Sequence, residues 1–135
     1  MLTERGLEPA LYALASRATV PVSIDAVPED RLPAAVESTV YFVVSEALAN
    51  VSKYAHATHA SVAVYVEDGR VRVEVADDGV GGADVNRGSG LRGLEDRVAV
   101  LEGHLSVHSP PGLGTTLRAE LPFHERRFTR ATVTA

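Results

Sequence analysis

Apolar side chains recur along this chain with two different periods, and each period predicts one type of secondary structure. Three segments have apolar residues at three- and four-residue steps, as one face of a helix requires; they lie at about 7–15, 34–55 and 91–102. Five segments alternate apolar with polar or small residues, as half-buried strands do; they lie at 20–27, 60–66, 71–77, 105–107 and 115–121. The pattern therefore predicts three helices and five strands.

Turn residues join these segments in a simple order. Asp68 and Gly69 stand between two alternating runs, which is a strong hairpin signal. Pro21 favours a sheet edge for the first strand, Pro33 suits the first turn of the long helix, and Gly103 is expected to end the last helix. The order helix, strand, long helix, hairpin, glycine-rich loop, helix and hairpin predicts a two-layer α+β sandwich. Its helices should cover one face of a largely antiparallel sheet.

Composition narrows the class of protein. The 135 residues suit one domain over 1–135 with a single core, and the polar tail at about 123–135 is expected to fray. A net charge of −5 argues against nonspecific nucleic-acid binding, which needs a basic face. The chain has no cysteine, which excludes disulfides and thiolate metal sites. It has neither an apolar run of about 18 residues nor a signal-peptide pattern, so we expect a cytoplasmic location without membrane embedding, although a longer parent protein could be anchored.

The long helix carries the first candidate chemistry. Glu46, Asn50 and Lys53 are four and then three residues apart, so they share a face that lies away from the Val43 and Ala47 stripe. A carboxylate, an amide and an ammonium on one face can form a magnesium-phosphate site, since magnesium takes hard oxygen ligands. The same triplet also fits an ordinary solvated helix face, which is the more common outcome for such residues.

A second group follows the strand at 71–77, where the chain reads Asp-Asp-Gly-Val-Gly-Gly at 77–82. A carboxylate at a strand end, such as Asp77, can accept a hydrogen bond from an exocyclic amine like that of adenine. Gly79 and Gly81 would let a flat ring approach the backbone closely. An acidic turn with flexible glycines explains this run equally well.

A third group reads Gly-Ser-Gly-Leu-Arg-Gly at 88–93 and leads into a predicted helix. Unpaired backbone N–H groups and the helix dipole make such a helix start a good phosphate site. The run is no dinucleotide fingerprint, because no βαβ unit surrounds it, and no P-loop, because no Gly-Lys-Ser/Thr follows. Alone, it is a weak signal.

Together these groups resemble one family, the catalytic ATP-binding domains of bacterial sensor histidine kinases within the gyrase and histidine-kinase ATPase superfamily. Residues 46–55 resemble the family's N box, 77–81 its adenine-binding box, 88–94 the glycine box that closes the ATP lid, and 112–117 the Gly-Thr turn before the last strand. The resemblance covers about 4–122, and 92–98 is similar to the subgroup paired with helix-turn-helix response regulators. It implies a Bergerat-type ATP-binding fold.

The resemblance also implies a role for each matching residue. Asp77 would accept the adenine amino group, with Gly79 and Gly81 shaping the pocket, and Asn50 would hold magnesium. Lys53 would neutralise phosphate charge, and Glu46 would act near the metal as an indirect ligand or proton acceptor. Gly88, Gly90 and Gly93 would act as hinges of the lid. The remaining nucleotide contacts would come from the lid and the last hairpin: Gly88, Ser89, Gly90, Leu91, Gly93, Thr115 and Thr116. The implied cofactors are ATP and Mg.

By the same resemblance, the chain would phosphorylate a histidine on separate dimerisation helices of the same sensor kinase, for relay to a response regulator. None of the five histidines lies in the setting of a phospho-acceptor, and no pair has a zinc spacing on a clear helix; they are His56, His59, His104, His108 and His124. We therefore expect an isolated chain that is monomeric and does not phosphorylate itself. Tyr54 departs from the subgroup, which commonly has histidine there, so a phosphate contact at that position is in doubt.

Three other functions remain open at this point. An anti-sigma-factor serine kinase has a related ATP-binding domain, but the 92–98 and 112–117 segments favour a sensor kinase. A hydrolytic relative such as the ATPase part of a type II topoisomerase would add a transducer domain. A non-catalytic ATP-binding regulatory module would not need Asn50, Asp77 and the lid glycines to be intact.

Overall fold

The computed structural model describes residues 6–52, 56–81 and 89–123. Its elements in chain order are α1 (Leu7–Ser16), β1 (Val22–Ala26), α2 (Ala34–Asn50), β2 (Ala60–Glu67), β3 (Arg70–Asp77), α3 (Ser89–Val100), β4 (His104–His108) and β5 (Thr115–Pro122). The three helices and five strands match the predicted order. None of the helices within these ranges has the length and apolar character needed to cross a bilayer.

The strands form one mixed sheet in the order β1-β2-β3-β5-β4. β1 is an edge strand, as Pro21 predicted, and it runs parallel to β2; the other three pairings are antiparallel. In the β2–β3 hairpin, Asp68 and Gly69 both have positive φ angles of 53° and 74°. This is the conformation that a two-residue hairpin turn with the right-handed strand twist requires.

The core lies between the three helices and one face of the sheet. Alternate residues of β3 and β5, such as Val73 and Ala119, are fully buried, while their neighbours Arg72 and Arg118 lie on the open face. That open face is polar and holds exposed ion pairs, including Arg118 with Glu74 at 2.7 Å. The helices contribute six fully buried side chains to this core: Leu11, Val40, Val43, Val44, Leu94 and Val98. The predicted two-layer sandwich is therefore confirmed.

The N-terminal end of α2 is tied to the preceding loop by one buried carboxylate. Glu37, only 3% exposed, accepts hydrogen bonds from the Arg31 guanidinium at 2.9 and 3.0 Å and from the Leu32 N–H at 3.0 Å. Burial favours protonation of Glu37, but these donors outweigh it and hold the pKa of the carboxyl below its usual range. The start of the long helix is thus anchored although Pro33, its N-cap, makes no side-chain cap.

The other end of α2 differs from the expectation. The helix was expected to continue to about residue 55, but it ends at Asn50, and Val51 and Ser52 continue in a wider π-helical turn. The Ser52 hydroxyl lies 2.9 Å from the Thr19 hydroxyl, which donates to it from the loop after α1. This contact joins residues 33 positions apart, and the local apolar period does not reveal it.

The end of α3 corrects the role given to Gly103. The N–H of Gly103 bonds to the Val98 carbonyl and the N–H of Glu102 to that of Ala99, which is a Schellman motif. Its left-handed residue is Glu102, at φ 62°. Gly103 is needed for another reason: a Cβ atom there would overlap the Glu120 carbonyl of β5.

Candidate functional site

Asp77 is the last residue of β3 and holds a fixed carboxylate at the sheet end. Its Oδ1 accepts a hydrogen bond from the Gly79 N–H at 2.8 Å, which closes a local turn. Its Oδ2 has no hydrogen-bond partner among the described residues. The side chain is half-buried and has the same parity as Val73 and Val75, so it lies on the helix-covered face. One oxygen thus sets the orientation of the carboxylate and the other can accept a ligand N–H.

The β4–β5 turn packs directly on the segment after Asp77. The Gly112 N–H donates to the Val80 carbonyl at 2.5 Å. A Cβ atom on Gly81 would overlap the Pro110 carbonyl, and one on Gly114 would overlap the carbonyl of Asp77 itself. Glycine is required at both places because two backbones meet there without room for a side chain. The backbone of residues 77–81 therefore packs directly against a turn about 30 positions away in sequence.

The two threonines of the last hairpin lie on opposite faces of the sheet. Thr115 is the direct register partner of Asp77, and its hydroxyl lies 2.5 Å from the Ser109 hydroxyl. It shares the helix-covered face with the buried Leu117. Thr116 pairs with Ala76 and belongs to the open face. The structure thus brings Thr115 to Asp77 and separates Thr116 from it.

Asp78 has a more extensive set of contacts than Asp77, and sequence reasoning assigned it no role. Its Oδ1 accepts from the backbone N–H of Thr58 at 2.8 Å and of His59 at 3.1 Å. Its Oδ2 accepts from the Thr58 hydroxyl, and Nδ1 of His59 lies 3.0 Å away from the same oxygen. The Thr58 hydroxyl, followed by the two backbone N–H groups, holds the pKa of the Asp78 carboxyl well below its usual range. The only signal in the sequence was a second acidic residue after the strand-end aspartate.

Glu46 and Asn50 both lie on α2, four residues apart and half-buried. Within the part of the chain that the structure describes, neither side chain makes a hydrogen bond or an ion pair. Asn50 is the last residue of α2, and α2 contacts β3, the strand that ends at Asp77. A carboxylate and an amide with unused oxygens suit a hard cation such as magnesium.

No protein-only metal cage exists among the described residues, since no three His, Cys, Asp or Glu side chains converge there. A cation held at Asn50 would therefore take its other ligands from phosphate oxygens and water, which is how magnesium usually binds. The donor set fits that mode of binding.

The predicted lid residues divide into two groups. Ser89, Gly90, Leu91 and Gly93 belong to α3, which begins two residues earlier than expected. Gly93 is exposed, and a Cβ atom there would have no other atom within 4 Å. Gly88, the other lid glycine, lies outside the described residues. Lys53 and Tyr54 of the 46–55 segment do so as well. α3 packs on α2, where the Arg97 guanidinium lies 4.2 Å from the centre of the Phe42 ring.

Comparison with known proteins agrees with this arrangement. Residues 35–125 match the family described as histidine kinase-, DNA gyrase B- and HSP90-like ATPase. The sensor histidine kinase MctS of Rhizobium johnstonii is 35% identical over 133 residues, covering 90% of this chain and 29% of the relative. The signal transduction histidine-protein kinase/phosphatase DegS of Brevibacillus brevis is 34% identical over 96 residues, covering 69% of this chain and 25% of the relative.

A solved structure has the same fold. The blue-light activated histidine kinase of Erythrobacter litoralis EL346 superposes with a TM-score of 0.73 at 25% identity, covering 89% of this chain and 41% of that one. The chain spans less than a third of the length of the two curated relatives. The similarity to sensor histidine kinases that the four motifs predicted is confirmed, and the chain belongs to the histidine kinase-, DNA gyrase B- and HSP90-like ATPase family.

Proposed function

We propose that this chain binds Mg-ATP and donates the γ-phosphoryl group to a histidine on a separate dimerisation helix of a sensor kinase, for relay to a response regulator. Membership of an ATPase family implies ATP binding, and the named relatives are histidine kinases. The remaining steps of the proposal rest on the site itself. The similarity of residues 92–98 to the subgroup paired with helix-turn-helix regulators supports that class of partner.

One observation carries the nucleotide assignment. Asp77 has one carboxylate oxygen fixed by the Gly79 N–H and the other without a partner among the described residues. The exocyclic amine of adenine is a donor that matches this acceptor. Gly79 and Gly81 remain proposed parts of the pocket wall, and Gly81 packs against the Pro110 carbonyl of the β4–β5 turn. A guanine ring presents a carbonyl at that position, which the carboxylate would repel. The site therefore suits adenine.

The phosphates would extend from this pocket towards α2 and the start of α3. Asn50 and Glu46 supply oxygens for magnesium, which when bound would neutralise phosphate charge and fix the phosphate geometry. The first N–H groups of an α-helix have no partner within the helix, so those of α3 from Ser89 to Leu91 would suit phosphate oxygens. Further proposed contacts are Lys53, Gly88, Gly90, Gly93, Thr115 and Thr116. Of the two threonines, Thr115 is favoured because it lies on the same face of the sheet as Asp77.

Phosphoryl transfer needs positioning and charge neutralisation more than covalent chemistry by the protein. A separate imidazole would attack the γ-phosphorus in line, from about 3–3.5 Å, as the bond to the bridging oxygen breaks and ADP leaves. His104 and His108 lie at the two ends of β4, and His59 is next to Asp78, so these three have structural settings in the sheet and its loops. We expect no phosphohistidine on the chain alone.

The test combines binding with transfer. We expect calorimetry to give micromolar to sub-millimolar ATP binding in the presence of magnesium. Asp77→Asn should weaken it by about 1–3 kcal/mol, or one to two decades, because an amide can present a donor to the amine. With labelled ATP, the chain alone should gain no acid-labile phosphate. Mixed with the dimerisation helices of its parent kinase it should phosphorylate their histidine, and Asn50→Ala should abolish this transfer.

Asp68→Asn is the matched control for the binding experiment. It makes the same chemical change in an exposed hairpin turn whose φ of 53° asparagine tolerates well. ATP affinity of this variant should equal that of the unchanged chain. The proposal fails if ATP causes neither heat nor thermal shift, or if stable phosphohistidine forms on this chain by itself.

A further inference from the structure

We infer that Asp78 is a positioning residue for base recognition: it fixes the turn that aims the Asp77 carboxylate, and so sets the preference for adenine. This inference rests on the proposed function, because it assigns to Asp78 a role in the site where Asp77 meets the base. It does not require Asp78 to touch the nucleotide.

The contacts of Asp78 join two segments that otherwise separate at this point. The β2–β3 ladder ends with the pair Ala60 and Asp77. One residue further, the Asp78 side chain makes the connection that backbone pairs make within the ladder. Its Oδ1 accepts hydrogen bonds from the N–H groups of Thr58 and His59, the two residues before β2. Its Oδ2 receives the Thr58 hydroxyl and lies 3.0 Å from Nδ1 of His59. Both carboxylate oxygens are used by one short loop.

This arrangement fixes the peptide that follows Asp77. On one side, residues 58–59 hold Asp78; on the other, Gly114 packs its backbone against the Asp77 carbonyl. Between these two supports, the Asp77 side chain accepts one hydrogen bond among the described residues, from the N–H of Gly79. If Asp78 were released, the peptide carrying that N–H would be free to turn, and the Asp77 carboxylate would lose its orientation. A binding group held in place before the ligand arrives loses less entropy on binding.

The exposure of Asp78 argues against a role in stability alone. Its side chain is 37% exposed and that of His59 is 66% exposed. Exposed ion pairs of this type contribute little to the free energy of unfolding. The other three contacts are hydrogen bonds that fix the Asp78 carboxylate relative to residues 58–59. The Thr58 hydroxyl and the two backbone N–H groups lower the pKa of the Asp78 carboxyl, which favours the ionised form that accepts these bonds.

Two nucleotides separate positioning from general structural support. ATP has the exocyclic amine that Asp77 would accept, and purine riboside triphosphate lacks it. We expect Asp78→Ala to raise the Kd for ATP roughly tenfold while the Kd for purine riboside triphosphate changes less than about twofold. Asp78→Asn should stay within about threefold of the unchanged chain for ATP, because its side-chain oxygen still accepts the Thr58 and His59 N–H groups. Calorimetry well below the unfolding temperature measures both constants and the fraction of competent protein.

A double mutant tests whether Asp78 acts through its neighbour. In an Asp77→Asn background, Asp78→Ala should cause no further loss of ATP affinity, since the group it positions is already gone. Glu74→Ala is the matched control. It removes another ion-paired carboxylate, which lies on the open face of β3, 2.7 Å from the Arg118 guanidinium. This control should leave both dissociation constants unchanged.

The possible outcomes are distinct. If Asp78→Ala weakens both nucleotides equally, or lowers only the competent fraction or the Tm, Asp78 is structural and the inference is wrong. If the unchanged chain binds ATP and Asp78→Ala binds it just as well, the inference is wrong while the proposed function stands. If the unchanged chain does not bind ATP, the proposed function is wrong and this inference falls with it.

Discussion

Two hairpin turns of this chain each hold a glycine with positive φ, and the two glycines lie in different environments. The β2–β3 turn, with Asp68 and Gly69, is exposed, and a Cβ atom on Gly69 would lie 3.8 Å from its nearest neighbour, the Phe123 carbonyl oxygen. The β4–β5 turn, at 109–114, contains Gly114, which is buried and leaves no room for a Cβ atom. Both glycines have positive φ, at 74° and 80°. Both glycines have a left-handed backbone, and their surroundings differ.

This comparison separates two reasons for a glycine. At Gly69 the reason is local, since the hairpin twist requires a left-handed backbone there. At Gly114 the backbone also has to lie against the carbonyl of Asp77, the residue proposed to recognise adenine. A substitution in a turn that only joins two strands should cause a modest loss of stability. A turn that forms one wall of a site affects the site as well.

The largest effect is expected for Gly114→Ala. The methyl group would overlap the Asp77 carbonyl at a left-handed φ, so strain and overpacking should together cost roughly 2–4 kcal/mol of unfolding free energy. The displaced Asp77 should also lose most of its ATP affinity. Urea denaturation and calorimetry measure the two effects. Unchanged ATP binding in the folded variant would show that the β4–β5 turn does not shape the site.

Gly69→Ala gives the contrasting result. The new methyl group has room, so only the left-handed backbone costs free energy, about 1 kcal/mol. ATP affinity should remain that of the unchanged chain, because no contact runs from this turn to Asp77. The same urea and calorimetric measurements apply. A loss of affinity as large as that of Gly114→Ala would contradict the distinction between the two turns.

The smallest effect concerns Gly93, which the sequence suggested as a lid hinge. In the structure it is an exposed position inside α3 with no atom near a Cβ. Gly93→Ala should therefore raise the unfolding free energy by about 0.5–1 kcal/mol through helix propensity. A rise in Tm with unchanged ATP affinity and transfer rate would mean that Gly93 is not a hinge. A rise in Tm with slower transfer would support the hinge.

Most of the fold could be predicted because its signals are local. Apolar periods, the Asp-Gly turn and two prolines predicted all eight elements and their order. The errors occurred where distant parts of the chain meet. The Thr19 hydroxyl reaches Ser52 at the π-helical turn that follows the end of α2. After α3 the left-handed residue is Glu102, and Gly103 packs against the Glu120 carbonyl.

The candidate site shows the same division. Asp77 and Asn50 could be named from motif and spacing, since a strand-end carboxylate and a helical amide keep their chemistry in any context. The choice between Thr115 and Thr116 depended on register with β3, which no local pattern contains. Asp78 could not be recognised, because its partners Thr58 and His59 lie 20 and 19 positions away and become neighbours only in the folded sheet.

By itself, the sequence determined which segments are helices and strands, that one face of each is apolar, and which residues carry chemistry suited to a nucleotide. Those properties depend on side-chain type and on spacing within one element. The tertiary structure alone decided that the β4–β5 turn packs against the Asp77 carbonyl, and that the Asp78 carboxylate bonds to the loop before β2. The reason is that hydrogen bonds and backbone contacts act over a few ångströms, and only folding brings residues so distant in sequence within that range.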